Sequence, residues 1–218
     1  MAEGEKSVLE VLNSDFIITE LFVTEDFLNT YSDRISQTVH VVTPGELGDI
    51  SSLKSNRTAL ALVEMKPNTP FDTRSGTFLM LDKMNDPGNL GTVIRVADWY
   101  GIDGIIASGD TTDLYNPKVI SASKGSFTRV PVFYTDLESF ISDYPGEVYA
   151  ADMSGDDVHD TSFPADMILL MGNESHGISP VLKPYVHKTI TIPSYGQAES
   201  LNVGVATAVI CDNIRRTG

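Results

Sequence analysis

An α/β fold is predicted for this chain, and three observations predict it. Short apolar runs of strand length alternate with stretches of helical periodicity from one end of the sequence to the other. The run 166–171 is nearly all apolar, as in a parallel strand buried on both faces. The stretch 77–101 reads strand, turn, helix, the unit in which an open sheet presents its ligand groups.

Residues 1–66 read as a small alternating α/β unit. A short helix over 6–12 has Val8, Leu9, Val11 and Leu12 as its apolar positions. A strand over 17–23, a helix over 26–36 and a strand over 39–42 follow. Thr43-Pro44 with Glu46 marks a helix start, with Thr43 as cap and Pro44 in the first turn. A last apolar strand covers 59–64. Nothing here has catalytic spacing, so this half reads as a scaffold or binding module. The segment 66–74 carries two prolines and no periodicity. It divides the chain into a domain over 1–66, a linker over 67–74 and a domain over 75–218.

The second domain resumes with the strand 77–81. The dipeptides Asn85-Asp86 and Pro87-Gly88 form a turn. A helix follows Asn89, with Val93, Ile94, Val96, Ala97 and Tyr100 at helical spacing and Gly101 as its stop. Strands are expected over 104–108, 130–134, 147–151, 166–171 and 189–192, with helices over 117–123 and 137–143. A final helix over 200–216 puts Leu201, Val205 and Val209 on one stripe, and Arg215 and Arg216 at its C-terminal end, where the dipole favours cations.

Composition narrows the function. No run approaches the roughly 18 apolar residues of a membrane span, and the acidic start shows no secretory leader. The single cysteine, Cys211, excludes an internal disulfide framework and reads as a small buried apolar residue. A reduced, cytoplasmic protein with no membrane partner is expected. The net charge of -15 argues against tight non-specific RNA binding. The charge is unevenly spread, however: ten acidic and no Lys or Arg residues lie between Arg129 and Lys183. Arg74, Lys83, Arg95, Lys118, Lys124 and Arg129 cluster in the preceding stretch. The acidic segment 152–160, with His159, reads as a solvated loop, since it lacks calcium-loop or paired-histidine spacing. His40 and His187 stand alone. Dinucleotide, Walker and Gly-x-Ser-x-Gly signatures are absent.

Three stretches carry the chemistry. The first is Asn89-x-Gly91-x-x-x-Arg95 after the Pro-Gly turn. The second, Gly172-Asn-Glu174-Ser-His-Gly177-Ile178, follows the apolar strand and sets Glu174 between glycines whose backbone can approach a ligand. The third runs Ile192-Pro193-Ser-Tyr-Gly-Gln-Ala-Glu-Ser200-Leu201-Asn202. Ser200 suits a helix N-cap. Asn202 falls inside the expected helix, where asparagine is a mediocre residue. Taken singly, each stretch has a structural explanation.

Together and in this order they resemble the three signature motifs of the SpoU family of RNA 2′-O-ribose methyltransferases, within the SPOUT superfamily. The matching segments are Asp86-Pro-Gly-Asn-Leu-Gly-Thr-Val-Ile-Arg95, Met171-Gly-Asn-Glu-Ser-His-Gly-Ile178 and Ile192-Pro-Ser-Tyr-Gly-Gln-Ala-Glu-Ser-Leu-Asn202. Tyr115-Asn-Pro-Lys-Val and Ala122-Ser-Lys-Gly-Ser126 are similar to the family's looser middle segment. Ala2-Glu-Gly-Glu-Lys resembles the start of its N-terminal RNA substrate-binding domain. Members with that domain usually carry a basic stretch before it, and this sequence starts almost at the matching segment.

The resemblance implies a SPOUT domain of parallel sheet, helices on both faces and a deep trefoil knot, an exception to unknotted topology. It implies a homodimer acting on rRNA or tRNA, with S-adenosylmethionine as co-substrate and no metal. Gly172, Ile192 and Leu201 would line the methyl donor's pocket, with Met171, Gly177, Ile178 and Pro193 beside them. Asn89, Arg95, Glu174, Ser200 and Asn202 would form the catalytic face. Those residue types suit the reaction, in which positioning and removal of one hydroxyl proton are the main requirements. Arg95 is expected to clamp a phosphate, because guanidinium stays protonated in ordinary sites. A non-catalytic RNA-binding or ribosome-assembly protein on the same fold is the alternative, and an enzyme for a small acidic metabolite is a third reading.

Overall fold

Two β-sheets carry the chain, and the computed structural model describes residues 1–53 and 56–217, omitting the side chain of Thr217. The first sheet contains β1 (Ala2–Glu3), β2 (Ile18–Val23), β3 (His40–Val41) and β4 (Ala59–Val63) in the order β1-β4-β2-β3. Strand β4 runs antiparallel to β1 and β2, and β2 pairs in parallel with β3. Its helices are α1 (Glu5–Leu12), α2 (Glu25–Tyr31) and α3 (Pro44–Ile50). The start of α3 is the one its sequence predicts: Thr43 and Glu46 form a reciprocal capping box ahead of Pro44. Helix α2 is shorter than the expected 26–36. It stops at Tyr31, where Ser32–Arg34 tighten into a separate 3-10 turn; Ser32 and Asp33 are weak helix formers.

The second sheet has six strands, all paired in parallel: β5 (Thr77–Leu81), β6 (Gly104–Ser108), β7 (Val132–Thr135), β8 (Glu147–Asp157), β9 (Met167–Met171) and β10 (Lys188–Thr191). Their order is β10-β8-β9-β5-β6-β7. Every residue of β5, β6 and β9 is buried, because helices cover both faces. One face packs Leu79, Leu81, Ile105, Leu169 and Met171 against α4 (Pro87–Trp99), α5 (Pro117–Ser123) and α7 (Val203–Thr217). The other packs Phe78, Met80, Ile106, Ile168 and Leu170 against α6 (Leu137–Ser142) and Leu182. Cys211 lies in the first of these cores, and burial pushes its thiol up to about 12.

Three expectations are corrected. The acidic segment is not a loop through most of its length: β8 continues to Asp157, pairing with β10 across an irregularity at Thr189/Ile190. Gly155 permits that approach, since a Cβ there would sit 2.6 Å from the Thr189 carbonyl oxygen. Helix α4 begins before Asn89. Asp86 is its N-cap, accepting from the Asn89 N–H at 2.8 Å, so Pro87 and Gly88 lie within the first turn. Helix α7 begins at Val203 rather than Ser200, and its buried face is Val203, Thr207, Ile210, Cys211 and Ile214. The Leu201, Val205 and Val209 stripe points away from the core, with Leu201 and Val205 exposed.

Helices α4 and α7 run side by side. Gly204 meets Thr92 near their N-termini, and Arg215 Nε donates to the Tyr100 carbonyl at 2.5 Å near their C-termini. The first sheet's unit leans on the same layer, because Ala2, Val11 and Phe16 share a core with Leu90, Val119 and Phe127. Arg129 then ties Glu10 on α1 to Asp98 on α4.

Gly91 shows why the first motif needs a glycine in its middle. A Cβ there would lie 2.5 Å from Ala122 Cβ and 2.9 Å from the Val119 carbonyl oxygen, so α4 and α5 touch through their backbones. Gly91→Ala is expected to destabilise the fold by about 1–3 kcal/mol through overpacking. Chemical denaturation measures this, and an unchanged midpoint would contradict the close crossing.

Candidate functional site

From β5 the chain builds β6 and β7 to one side, then returns to place β9 and β8 on the other. The C-terminal ends of β5 and β9 therefore flank the topological switch point, where an open sheet leaves a crevice for a ligand. The first two motifs leave the sheet there, and the third ends at α7, whose N-terminus packs against Thr92 of α4.

The strand ends are cross-tied. Asp82 extends the ladder, its N–H donating to the Met171 carbonyl at 3.0 Å. Its buried carboxylate accepts from the Ser179 N–H at 2.6 Å and from Ser179 Oγ at 3.1 Å. The loop after β9 closes on itself: Asn173 and Gly177 exchange backbone hydrogen bonds of 3.0 and 2.8 Å. Asn173 Oδ1 accepts from the Ser175 and His176 amides, while its Nδ2 donates to the Lys83 carbonyl at 2.7 Å. Gly172 lies back to back with Gly177 and Ile178, where a Cβ would come within 2.5 Å of backbone. Glu174 is thereby held at the tip of a rigid loop.

That loop delivers Glu174 to Asn89. The Asn89 Nδ2 donates to Glu174 Oε1, and Asn89 Oδ1 accepts from Asn202 Nδ2 at 2.8 Å. Segments 85 and 113 residues from Asn89 thus meet on one side-chain amide. Asn89 sits in the first turn of α4, so Glu174 lies at the positive end of the helix dipole. Asn202 also has the local role that its expected mid-helix position denied it. It caps α7, its Oδ1 accepting from the Gly204 and Val205 amides and its carbonyl from the Ala206 N–H.

The remaining predicted site residues stand outside this hydrogen-bonded trio. Arg95 is exposed on α4 and makes no ion pair or hydrogen bond among the described residues. Ser200 is exposed and, among those residues, caps nothing. Of the residues expected around a methyl donor, Met171 and Ile178 are buried in the two cores. Ile192 and Pro193 are half-buried, and Leu201 is exposed. Close-approach backbone at Gly172 and an exposed apolar Leu201 are features that suit a ligand with an apolar body and polar edges, as S-adenosylmethionine has. The described residues contain no group of three or more His, Cys, Asp or Glu side chains able to hold a metal ion. His187 serves the backbone instead, Nδ1 accepting from the Val148 amide at 3.1 Å.

Sequence reasoning missed Asp82, Asn173 and Ser179, which organise the site without occupying its face. A buried carboxylate directly after an apolar strand was the available signal. A cavity of about 360 Å³ lies elsewhere, between Lys66, Pro67, Asn68, Tyr115 and Tyr134. Volume alone does not make it the reactive site, since the convergent polar groups lie at the β5 and β9 ends.

Comparison with known proteins gives the same assignment. A model of the SpoU rRNA Methylase family matches residues 76–212. A Bacillus subtilis protein, the 23S rRNA (guanosine(2553)-2′-O)-methyltransferase, is 28% identical over 219 residues, covering 99% of this chain and 88% of its own. A Streptomyces viridochromogenes 23S rRNA (uridine(2479)-2′-O)-methyltransferase is 33% identical over 149 residues; the match spans 63% of this chain and about half, 52%, of that protein. The structure is similar to that of an AdoMet-bound rRNA methyltransferase from Sinorhizobium meliloti, with a TM-score of 0.86 and 29% identity over 99% of this chain and 86% of that one.

The two roles of Asn202 can be separated. Asn202→Ala removes both the cap and the Asn89 contact, and should cost about 0.5–2 kcal/mol of stability. Asn202→Asp keeps a capping oxygen while losing the donor to Asn89, and should melt close to wild type. Thermal unfolding of both variants checks the assignment: equal losses would show that capping is not the stabilising role.

Proposed function

Because the chain belongs to the SpoU rRNA methylase family, we propose that it transfers a methyl group from S-adenosylmethionine to a ribose 2′-hydroxyl of structured RNA, rRNA or tRNA. The observation that carries this reading is the meeting of Asn89, Glu174 and Asn202, one residue from each of three distant motifs, at the switch point of a parallel sheet. The donor's sulfonium supplies an activated methyl and its own leaving group. Gly172, Ile192 and Leu201 would hold it, with Met171, Gly177, Ile178 and Pro193 around them.

The chain's contribution is alignment. Asn89 offers a donor and an acceptor from one rigid amide, and Glu174 and Asn202 fix its orientation. Such a preset amide can orient a ribose hydroxyl without reorganisation during the reaction. Ser200 adds a hydroxyl for donor or ribose. Arg95 carries a planar, fork-shaped cation suited to bidentate phosphate recognition. Its role is a clamp on the RNA beside the reacting oxygen, with the hydroxyl proton leaving towards that phosphate or to water.

The active species in this reading is a homodimer in the cytoplasm, and no described helix is long and apolar enough to cross a membrane. The α4/α7 face supports the dimer: Trp99 is 80% exposed, and Leu201 and Val205 are about half exposed. Trp99 lies one helical turn beyond Arg95 on α4, so a second copy seated on this face would help enclose the site. In this reading the N-terminal four-stranded unit captures RNA, a linker over 67–74 joins it to the methyltransferase domain, and residues 171–202 belong to the trefoil-knotted region.

Three outcomes test these proposals. Calorimetry should detect S-adenosylhomocysteine binding, and Arg95→Lys should lower RNA methylation by about tenfold or more, because the single ammonium cannot reproduce a bidentate clamp. Absent cofactor binding would remove the enzyme reading, and near wild-type turnover of the lysine variant would remove the clamp. Light scattering should give twice the 23.7 kDa chain mass, falling to the monomer value in a Trp99→Asp, Val205→Asp double variant; an unchanged mass would move the interface elsewhere.

A further inference from the structure

We propose that Lys83 is a direct contact to the RNA backbone beside the methylated ribose; the inference rests on the RNA-methylation reading above. Among the described residues, only two that are not glycine have positive φ, Lys83 at 55° and Lys124 at 53°. A side chain makes this left-handed conformation costly, and glycine is the usual occupant. Lys124 has a local explanation, since it is the C-cap of α5 and ends that helix in the left-handed form. Lys83 ends no helix.

Its backbone is held from both sides. The Lys83 N–H donates to Ser108 Oγ at 2.9 Å, at the end of β6, and its carbonyl accepts from Asn173 Nδ2 at 2.7 Å, beyond β9. The turn therefore pins three strand ends together, a task that glycine would perform without strain. What lysine adds is its ammonium. That group is exposed and forms no ion pair among the described residues, in a chain with 30 acidic side chains.

Three acids near it in the chain and in the site are committed elsewhere, and Asp110, in the loop whose Ser108 and Thr111 bond the Lys83 and Met84 amides, forms no ion pair with it among the described residues. Asp82 is bound to Ser179, Asp86 caps α4, and Glu174 is bound to Asn89. A fixed Cα with a flexible, uncommitted cation thus lies at the same sheet edge as Asn89. It is joined to the Glu174 loop through Asn173. A compact ammonium on a flexible stem suits a single anionic oxygen. Two sources offer one at this site, an RNA phosphate and the carboxylate of the methyl donor, and the proposal assigns Lys83 to the phosphate.

The test compares wild type with Lys83→Gly and Lys83→Arg. Three measurements are made: thermal unfolding, calorimetry with S-adenosylhomocysteine, and methyl incorporation into rRNA purified from cells lacking the gene, between about 50 and 200 mM KCl. The glycine variant should melt at or above wild type, because glycine accepts this φ freely. It should bind S-adenosylhomocysteine normally. Its KM for RNA should rise about 3–10-fold, and the slope of log KM against log salt should fall by about 0.7–0.9, the signature of one lost phosphate contact. The arginine variant should restore the slope. An unchanged slope in the glycine variant overturns the assignment, as does weakened S-adenosylhomocysteine binding with the RNA slope intact. A wild-type protein that neither binds S-adenosylhomocysteine nor methylates the RNA would instead overturn the enzyme reading beneath it.

Discussion

The side-chain amide of Asn89 is the constraint on which the site depends. It donates to Glu174 and accepts from Asn202, so each of its two atoms has a fixed partner. Aspartate could not do both, having no donor when ionised. The arrangement works only if three backbones arrive together. Asp86 starts α4 where Asn89 falls in its first turn, Asn202 starts α7 beside it, and the Asn173–Gly177 bridge stiffens the loop bearing Glu174. Two of these three devices are helix caps, so helix termination and site assembly are one problem here.

Much of this was legible in the sequence, for a physical reason. Strands buried on both faces are apolar throughout, so 77–81, 104–108 and 166–171 stand out without tertiary information. Thr43, Pro44 and Glu46 announced their helix because capping is local. The errors concern features decided by distant partners. Acidic residues 152–157 extend a strand only because β10 offers a ladder and Gly155 lets it approach. Asn202 was misread as a helix-interior residue because Ser200, two residues earlier, has equal capping chemistry; the tie to Asn89 coincides with the later start. Periodicity found the stripe of Leu201, Val205 and Val209 but could not say which side of α7 faces the core. Leu201 in fact precedes the helix, and Cys211 and Ile214 mark the buried side.

The charge of the chain becomes intelligible on the same scaffold. Of the six cations between 74 and 129, Arg74 pairs with Asp72, and Arg129 pairs with Glu10 and Asp98. Lys83, Arg95, Lys118 and Lys124 form no ion pair among the described residues. Two of these, Lys118 and Lys124, follow β6, on one side of β5. The acidic extension of β8 lies on the other side, beyond β9, where Asp156 meets Lys188. Acids stand on both sides of β5, Asp110 and Asp113 after β6 and Asp156 and Asp157 at the end of β8, so the uncommitted cations are interspersed with them. Coulombic attraction to a polyanion is screened within about 10 Å at ordinary ionic strength, so the local balance governs RNA approach more than the net -15 does. Arg129, pairing with Glu10 on α1 and Asp98 on α4, fixes the N-terminal unit against the layer that carries Asn89 and Arg95.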